Sequence, residues 1–117
     1  MKCNDFNLKV FVEDTDFQGF VYHANYLKYF ERARTQFLID NHISQLNADG
    51  FFVIKNINIT YSFPARLEEN LSVKTDVQLK TKARMIFNQT IENINSKKIY
   101  CEATIEVCFL DKISNKP

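Results

Sequence analysis

Tryptophan is absent from this 117-residue chain, and glycine, proline and histidine occur only twice each. So little glycine and proline argues against disorder and against a loop-rich fold, which are built from both residues. Cysteine occurs three times, as Cys3, Cys101 and Cys108, an odd count with no CxxC pair. A closed disulfide framework is excluded, and free buried thiols in a reducing compartment are expected. Neither histidine lies near a cysteine in sequence, so no metal site is expected. No stretch approaches the roughly 18 apolar residues of a membrane span, so no membrane insertion is expected. The polar opening, Met1 to Phe6, argues against a signal peptide. A cytoplasmic location is the expectation. Charge of one sign is also missing. With 15 basic and 14 acidic residues the net charge is +1. The basic excess of a nucleic-acid binder is not there.

What is present is apolar and aromatic. Hydrophobic residues make up 45% of the chain, and phenylalanine alone occurs 11 times. That suffices for one domain over residues 1–117 with a core that needs neither metal nor disulfide.

Periodicity predicts the elements. Phe6, Leu8, Val10 and Val12 alternate with Asn7, Lys9 and Phe11, which predicts a strand over 6–12. A charged loop with one glycine follows, Glu13 to Gly19. Residues 24–40 change period: Ala24, Leu27, Phe30, Ala33 or Arg34, Phe37 and Leu38 recur at three and four. This is an amphipathic helix of about 17 residues and roughly 25 Å. Asn41 to Asp49 reads as a weak second helical turn and a loop, closed by Gly50. Four further alternating runs follow, around Ile57–Phe63, Leu71–Leu79, Met85–Ile91 and Ile99–Phe109. Gln89 interrupts the apolar face of the third of these. Asn95 and Ser96 suit a hairpin turn. Short connections make these four strands antiparallel. The expected fold class is α+β, a five-stranded antiparallel sheet wrapped around one long helix. One helix leaves sheet edges open, so a dimer that extends the sheet is expected.

Chemistry concentrates in residues 13–26, EDTDFQGFVYHANY. Three carboxylates, a glycine, a histidine and an asparagine lead straight into the helix. The first turn of a helix offers unpaired N–H groups and a positive dipole end. Such donors polarise a carbonyl and hold the oxyanion formed on attack. A nearby carboxylate acts as general base or nucleophile. Gly19 lets the backbone approach a ligand. The plainer alternative is that these carboxylates only cap the loop or the helix. Asp14 in particular is expected to accept backbone N–H bonds in an Asx turn.

The run EDTDFQGFVYHANYLKYFERART, residues 13–35, resembles the signature of the hotdog-fold acyl-CoA thioesterases related to 4-hydroxybenzoyl-CoA thioesterase. Within them it is most similar to the bacterial Tol-Pal-associated branch. The run from Phe63 to Val73, FPARLEENLSV, resembles that family's passage between its second and third strands. The resemblance implies a hotdog fold and hydrolysis of short- to medium-chain or aromatic acyl-CoA, with no cofactor. It matches Asp16 to the catalytic carboxylate, and His23 to the helix-start position whose N–H faces the thioester carbonyl. It implies that Tyr22 and Asn25 shape the pocket with Gly19, and that Glu31 pairs with Arg32 or Arg34 as a support. It implies a homodimer or homotetramer with CoA at the subunit interface. CoA needs cations for its phosphates, and Lys80, Lys82 and Arg84, with Arg66 at another turn, are the candidates. Phe17, Phe20, Tyr26, Phe51 and Phe52 are candidates for the acyl pocket. Phe17 and Gln18 stand where family members often carry small residues. Two alternatives stay open: a hotdog hydratase or dehydratase, and a non-catalytic subunit that binds acyl-CoA or acyl carrier protein.

Overall fold

The alternating runs become strands and the period of three and four becomes one helix, as expected. The computed structural model describes residues 1–45 and 49–111. In chain order the elements are β1 (Phe6–Lys9), a 3-10 turn (Val12–Asp14), α1 (Asn25–Asp40), β2 (Gly50–Tyr61), β3 (Asn70–Thr81), β4 (Arg84–Asn93) and β5 (Ile99–Asp111). The strands form one sheet in the order β1-β3-β4-β5-β2, and every neighbouring pair is antiparallel. The sheet curls around α1, which is 16 residues long. Among the described residues no helix is long and apolar enough to cross a membrane.

The helix buries Tyr26, Tyr29, Phe30, Ala33, Arg34, Phe37 and Leu38. This stripe is displaced from the expected one, because the two tyrosines take the central place and Leu27 is only half-buried. The stripe packs on Leu71, Val73, Val77, Phe87, Ile91 and Ile105 from the sheet. Two polar residues interrupt the core and meet each other there. Arg34 Nη1 donates to Gln89 Oε1 at 3.0 Å, while Gln89 Nε2 donates to Phe30 O at 3.0 Å and Thr75 Oγ1 at 3.1 Å. The interruption at Gln89 is therefore an interior position with its bonds satisfied. Burial pulls the Arg34 pKa down, and the charge of Glu31 pushes it back up. The expected ion pairs of Glu31 with Arg32 or Arg34 do not form, since the Arg34 guanidinium turns inward to Gln89.

Strand boundaries differ from the expectation where pairing overrides alternation. β1 stops at Lys9, whose partner is Asn70, the first residue of β3. Beyond it the chain has no partner strand, so Val12 turns outward and is 72% exposed. β2 starts at Gly50, seven residues before the apolar alternation signals it, and pairs with Asp111. A bulge at Lys55 resets its phase, so Ile57 and Ile59 face the core with Ile105 and Ala103. A second bulge, at Tyr100, breaks the phase of β5 and turns Tyr100 inward. Leu79, near the end of β3, is 68% exposed. The turn at Asn95 and Ser96 forms as expected, with both amides donating to Asn93 Oδ1. After α1, Asn41 and His42 close a single turn, and residues 46–48 of the expected second helical turn lie outside the described residues. All three cysteines are free thiols; Cys101 and Cys108 are buried as expected, whereas Cys3 is only half-buried.

Candidate active site

The acidic loop folds into a small hairpin. Thr15 bridges Val21, Asp16 N donates to Phe20 O at 2.8 Å, and Tyr22 N donates to Asp14 O at 3.0 Å. Gly19 turns the hairpin with φ +85, a conformation that L side chains rarely adopt. The turn lets Asp16 close on its own loop. Its Oδ1 accepts from Gln18 N at 2.9 Å and from Phe20 N at 3.2 Å. No hydrogen bond to its Oδ2 forms among the described residues. One carboxylate oxygen is thus fixed by two amides, and the other makes no such bond among the described residues.

Asp14 does the work expected of a cap. Its carboxylate accepts from Phe11 N at 2.9 Å, and its carbonyl accepts from Asn25 Nδ2 at 2.8 Å. Asn25, expected to shape the pocket, therefore spends its amide on tying hairpin to helix. The buried Tyr29 hydroxyl faces Asp14 without reaching full hydrogen-bond geometry. Burial first, then the charge and side chain of Asp14, push its pKa well up, so the phenol stays neutral.

The hairpin ends at the helix start. Ala24 is the N-cap and brings no side-chain cap bond. The N–H groups of His23 and Ala24 donate to no protein group among the described residues. The His23 ring lies 4.5 Å from the Tyr22 ring and edge-on to Tyr61 at 6.3 Å. With Val21, Tyr26, Tyr61, Phe63 and Pro64 it lines a pocket of about 220 Å³. Asp16, Gly19, Tyr22, His23 and Asn25 are therefore gathered in one hairpin and one helix start.

The expected phosphate contacts are not gathered there within one chain. Lys80, Lys82 and Arg84 sit at the β3–β4 turn, while the hairpin packs near the start of β3 at Asn70. The length of β3 separates them by roughly 35 Å. Arg84 also pairs with Glu106. Arg66 is the cation at the hairpin: it bridges Phe20, and its guanidinium lies 5.3 Å from that ring. Of the aromatic candidates, Phe17 stands at the hairpin tip, 98% exposed, and Phe51 is exposed. Phe52 lines a second, larger groove of about 410 Å³ between the C-terminal half of α1 and β2, β4 and β5.

Sequence reasoning missed the support behind the hairpin. Glu69 accepts from Arg66 N, Asn93 Nδ2 and Tyr100 Oη. Alternation assigns Tyr100 to the outer face, and only the bulge brings it in. The pair of glutamates in the FPARLEENLSV passage was the one visible signal.

Comparison with known proteins agrees with this fold. Residues 10–117 match the model of the thioesterase-like superfamily. An acyl-CoA thioester hydrolase of Escherichia coli, YbgC, is 36% identical over 113 residues, covering 94% of this chain and 84% of that protein. A probable thioesterase of Bartonella henselae superposes with a TM-score of 0.84 at 34% identity, covering 97% of this chain and 95% of that one. A 1,4-dihydroxy-2-naphthoyl-CoA thioesterase of Synechocystis, Slr0204, shares the fold with a TM-score of 0.90 at 21% identity, covering 96% and 85%. A curled five-stranded sheet on one helix, an acidic hairpin at the helix start and these matches lead to one conclusion: the chain belongs to the thioesterase-like superfamily, with the hotdog fold of its acyl-CoA thioesterases.

Proposed function

We propose that this chain hydrolyses acyl-CoA thioesters to the free acid and CoA, with Asp16 at the centre of the chemistry. One observation carries the proposal. The hairpin pins Asp16 Oδ1 on two amides just ahead of an uncapped helix start. A thioester carbonyl at that start accepts hydrogen bonds from the free N–H groups of His23 and Ala24. Asp16 takes a proton from an attacking water, the oxyanion rests on the N–H groups, and CoA leaves as its thiolate. Direct attack by Asp16 would need a second base to hydrolyse the anhydride. Asp14, the nearest carboxylate in sequence, is engaged with Phe11 N–H. General-base catalysis is therefore the preferred route. The His23 ring and Tyr22 form the wall of the thioester pocket.

The edges of the sheet support a homodimer. The free edge of β1 is 4 residues long, whereas that of β2 runs for 12. An edge that long is a template for a second copy. Antiparallel pairing of β2 with its symmetry mate sets the Tyr61 end of one chain beside the Gly50 end of the other. The His23 pocket of one subunit then adjoins the 410 Å³ groove of its partner, lined by Leu38, Phe52, Ile54, Met85 and Phe87. Such a groove suits a short- to medium-chain or aromatic acyl group. The same pairing carries Lys82 and Arg84 toward the partner's Asp16, where CoA phosphates need cations.

A panel of acyl-CoAs, with free thiol release as the readout, tests the proposal. Thiol release is expected for short, medium and aromatic chains. Hydration of an enoyl-CoA without thiol release would point to a hydratase instead. Binding of acyl-CoA or acyl carrier protein with no turnover would point to a binding subunit.

A further inference from the structure

The geometry points to Glu69 as a positioning residue for Asp16, acting through the Arg66 turn; this rests on the reading of Asp16 given above. Glu69 touches no part of the pocket. Its carboxylate is held from behind by the sheet: Asn93 Nδ2 at the end of β4 donates to Oε2 at 2.9 Å, and the Tyr100 hydroxyl donates to the same oxygen. Its other oxygen, Oε1, accepts from Arg66 N at 2.9 Å, and Glu69 N donates back to Arg66 O at 3.2 Å. The turn from 66 to 69 is thus closed from both sides and anchored to two strands.

That turn grips the Asp16 hairpin. Leu67 N donates to Gly19 O at 3.0 Å, Val21 N donates to Ala65 O at 2.9 Å, and Arg66 bridges Phe20. Phe20 N is one of the two donors to Asp16 Oδ1. The other end of the loop reaches the same place. Val10 N donates to Glu69 O at 3.0 Å, and Glu68 N donates to Val10 O at 2.9 Å. Both strands of chain that lead to Asp16 therefore converge on residues 65–69, and the Glu69 carboxylate bonds that turn to β4 and β5. The Tyr100 bulge has a use in this arrangement. It turns an otherwise outward hydroxyl to the one carboxylate that sets the turn. A catalytic carboxylate misplaced by about 1 Å loses on the order of a hundredfold in rate.

Two readouts test this. In Glu69→Ala, kcat is expected to fall about 10- to 100-fold with KM changed less than about threefold, because positioning and not binding is lost. Glu69→Gln keeps Oε1 as the acceptor for Arg66 N but sets an NH2 group against Asn93 Nδ2, so it should recover only part of the rate and fall between Glu69→Ala and wild type. Tyr100→Phe removes one donor, leaves the fold intact and should cost a few-fold. The second readout needs no turnover: amide exchange at Phe20, Val21 and Leu67 should accelerate in Glu69→Ala while the amides of α1 keep their protection. Unchanged exchange at those three amides overturns the inference, as does exchange that rises uniformly across helix and sheet. If the wild-type chain cleaves no thioester, the reading of Asp16 falls, and amide exchange alone decides the role of Glu69. If wild type cleaves and Glu69→Ala matches it in kcat, only Glu69 is wrong.

Discussion

The chain has two glycines, one toward each end of its sheet, and they answer different demands. Gly19 has open space around its missing Cβ but a φ of +85. Gly50 has an ordinary φ but no space: a Cβ there would lie 2.2 Å from Leu110 O. The first is a matter of torsion in a loop that aims a carboxylate. The second is a matter of contact where β2 meets β5. The surroundings differ in the same way. The Gly19 end is tied by side-chain bonds from α1, β4 and β5 and by the backbone of residues 65–69. The Gly50 end opens into a groove, with Ile54 and Leu79 exposed. Under the proposed function, the end that aims a reacting group is the one bonded in place, and the end left apolar and open is the one that takes an acyl chain and a second subunit.

Substitutions at the two ends can break this contrast. Gly50→Ala should be the most destabilising, by about 2–3 kcal/mol, because backbone must move to admit the methyl group. Its thermal midpoint should drop while kcat per folded molecule survives. Tyr26→Phe should follow at about 1–3 kcal/mol in chemical denaturation, since Ala65 N would lose its buried acceptor at 2.9 Å. Gly19→Ala should cost only about 1–2 kcal/mol of torsional strain. Its loss of kcat should nonetheless exceed that of Gly50→Ala, which separates torsion from contact. Leu79→Ser should change stability by less than about 0.5 kcal/mol, as an exposed side chain away from these features does. A large effect there would mean that the open end is closed in solution.

The interior also sets a pH limit. Burial raises the Cys101 thiol from 9.0 to about 12. A raised pKa means that the folded state holds its proton longer than the unfolded one. This contribution is therefore full below about pH 9 and lost as pH rises toward about 12. Alkaline unfolding in that window should shift upward in Cys101→Ala relative to its own stability at pH 7.

The order of strands and helix was legible because each half-buried strand and the amphipathic helix repeat at their own period. The loop that holds Asp16 was legible through the pattern of residues 13–35, and Asp14 as an acceptor of backbone N–H, although its bond runs back to Phe11 and the Asx-type bond to the residue two ahead is made by Asp16. What was not legible depended on register. Nothing in the residues near Lys55 or Tyr100 announces a bulge, and each bulge flips the residues beyond it. The Gln89–Arg34 bond joins positions 55 residues apart, so the sequence displayed only an unexplained polar residue in an apolar face. Lys82 and Arg84 are distant from Asp16 within one chain, because loop charges carry no information about which end of a sheet they occupy.

Asp16→Asn tests the central claim most directly. The swap keeps shape and keeps Oδ1 as an acceptor for Gln18 N and Phe20 N, but it removes the base. Thiol release from the best acyl-CoA should fall by about 10²- to 10⁴-fold, with binding of that acyl-CoA retained. Turnover that survives the swap at wild-type rate would contradict the assignment of Asp16 as the catalytic base.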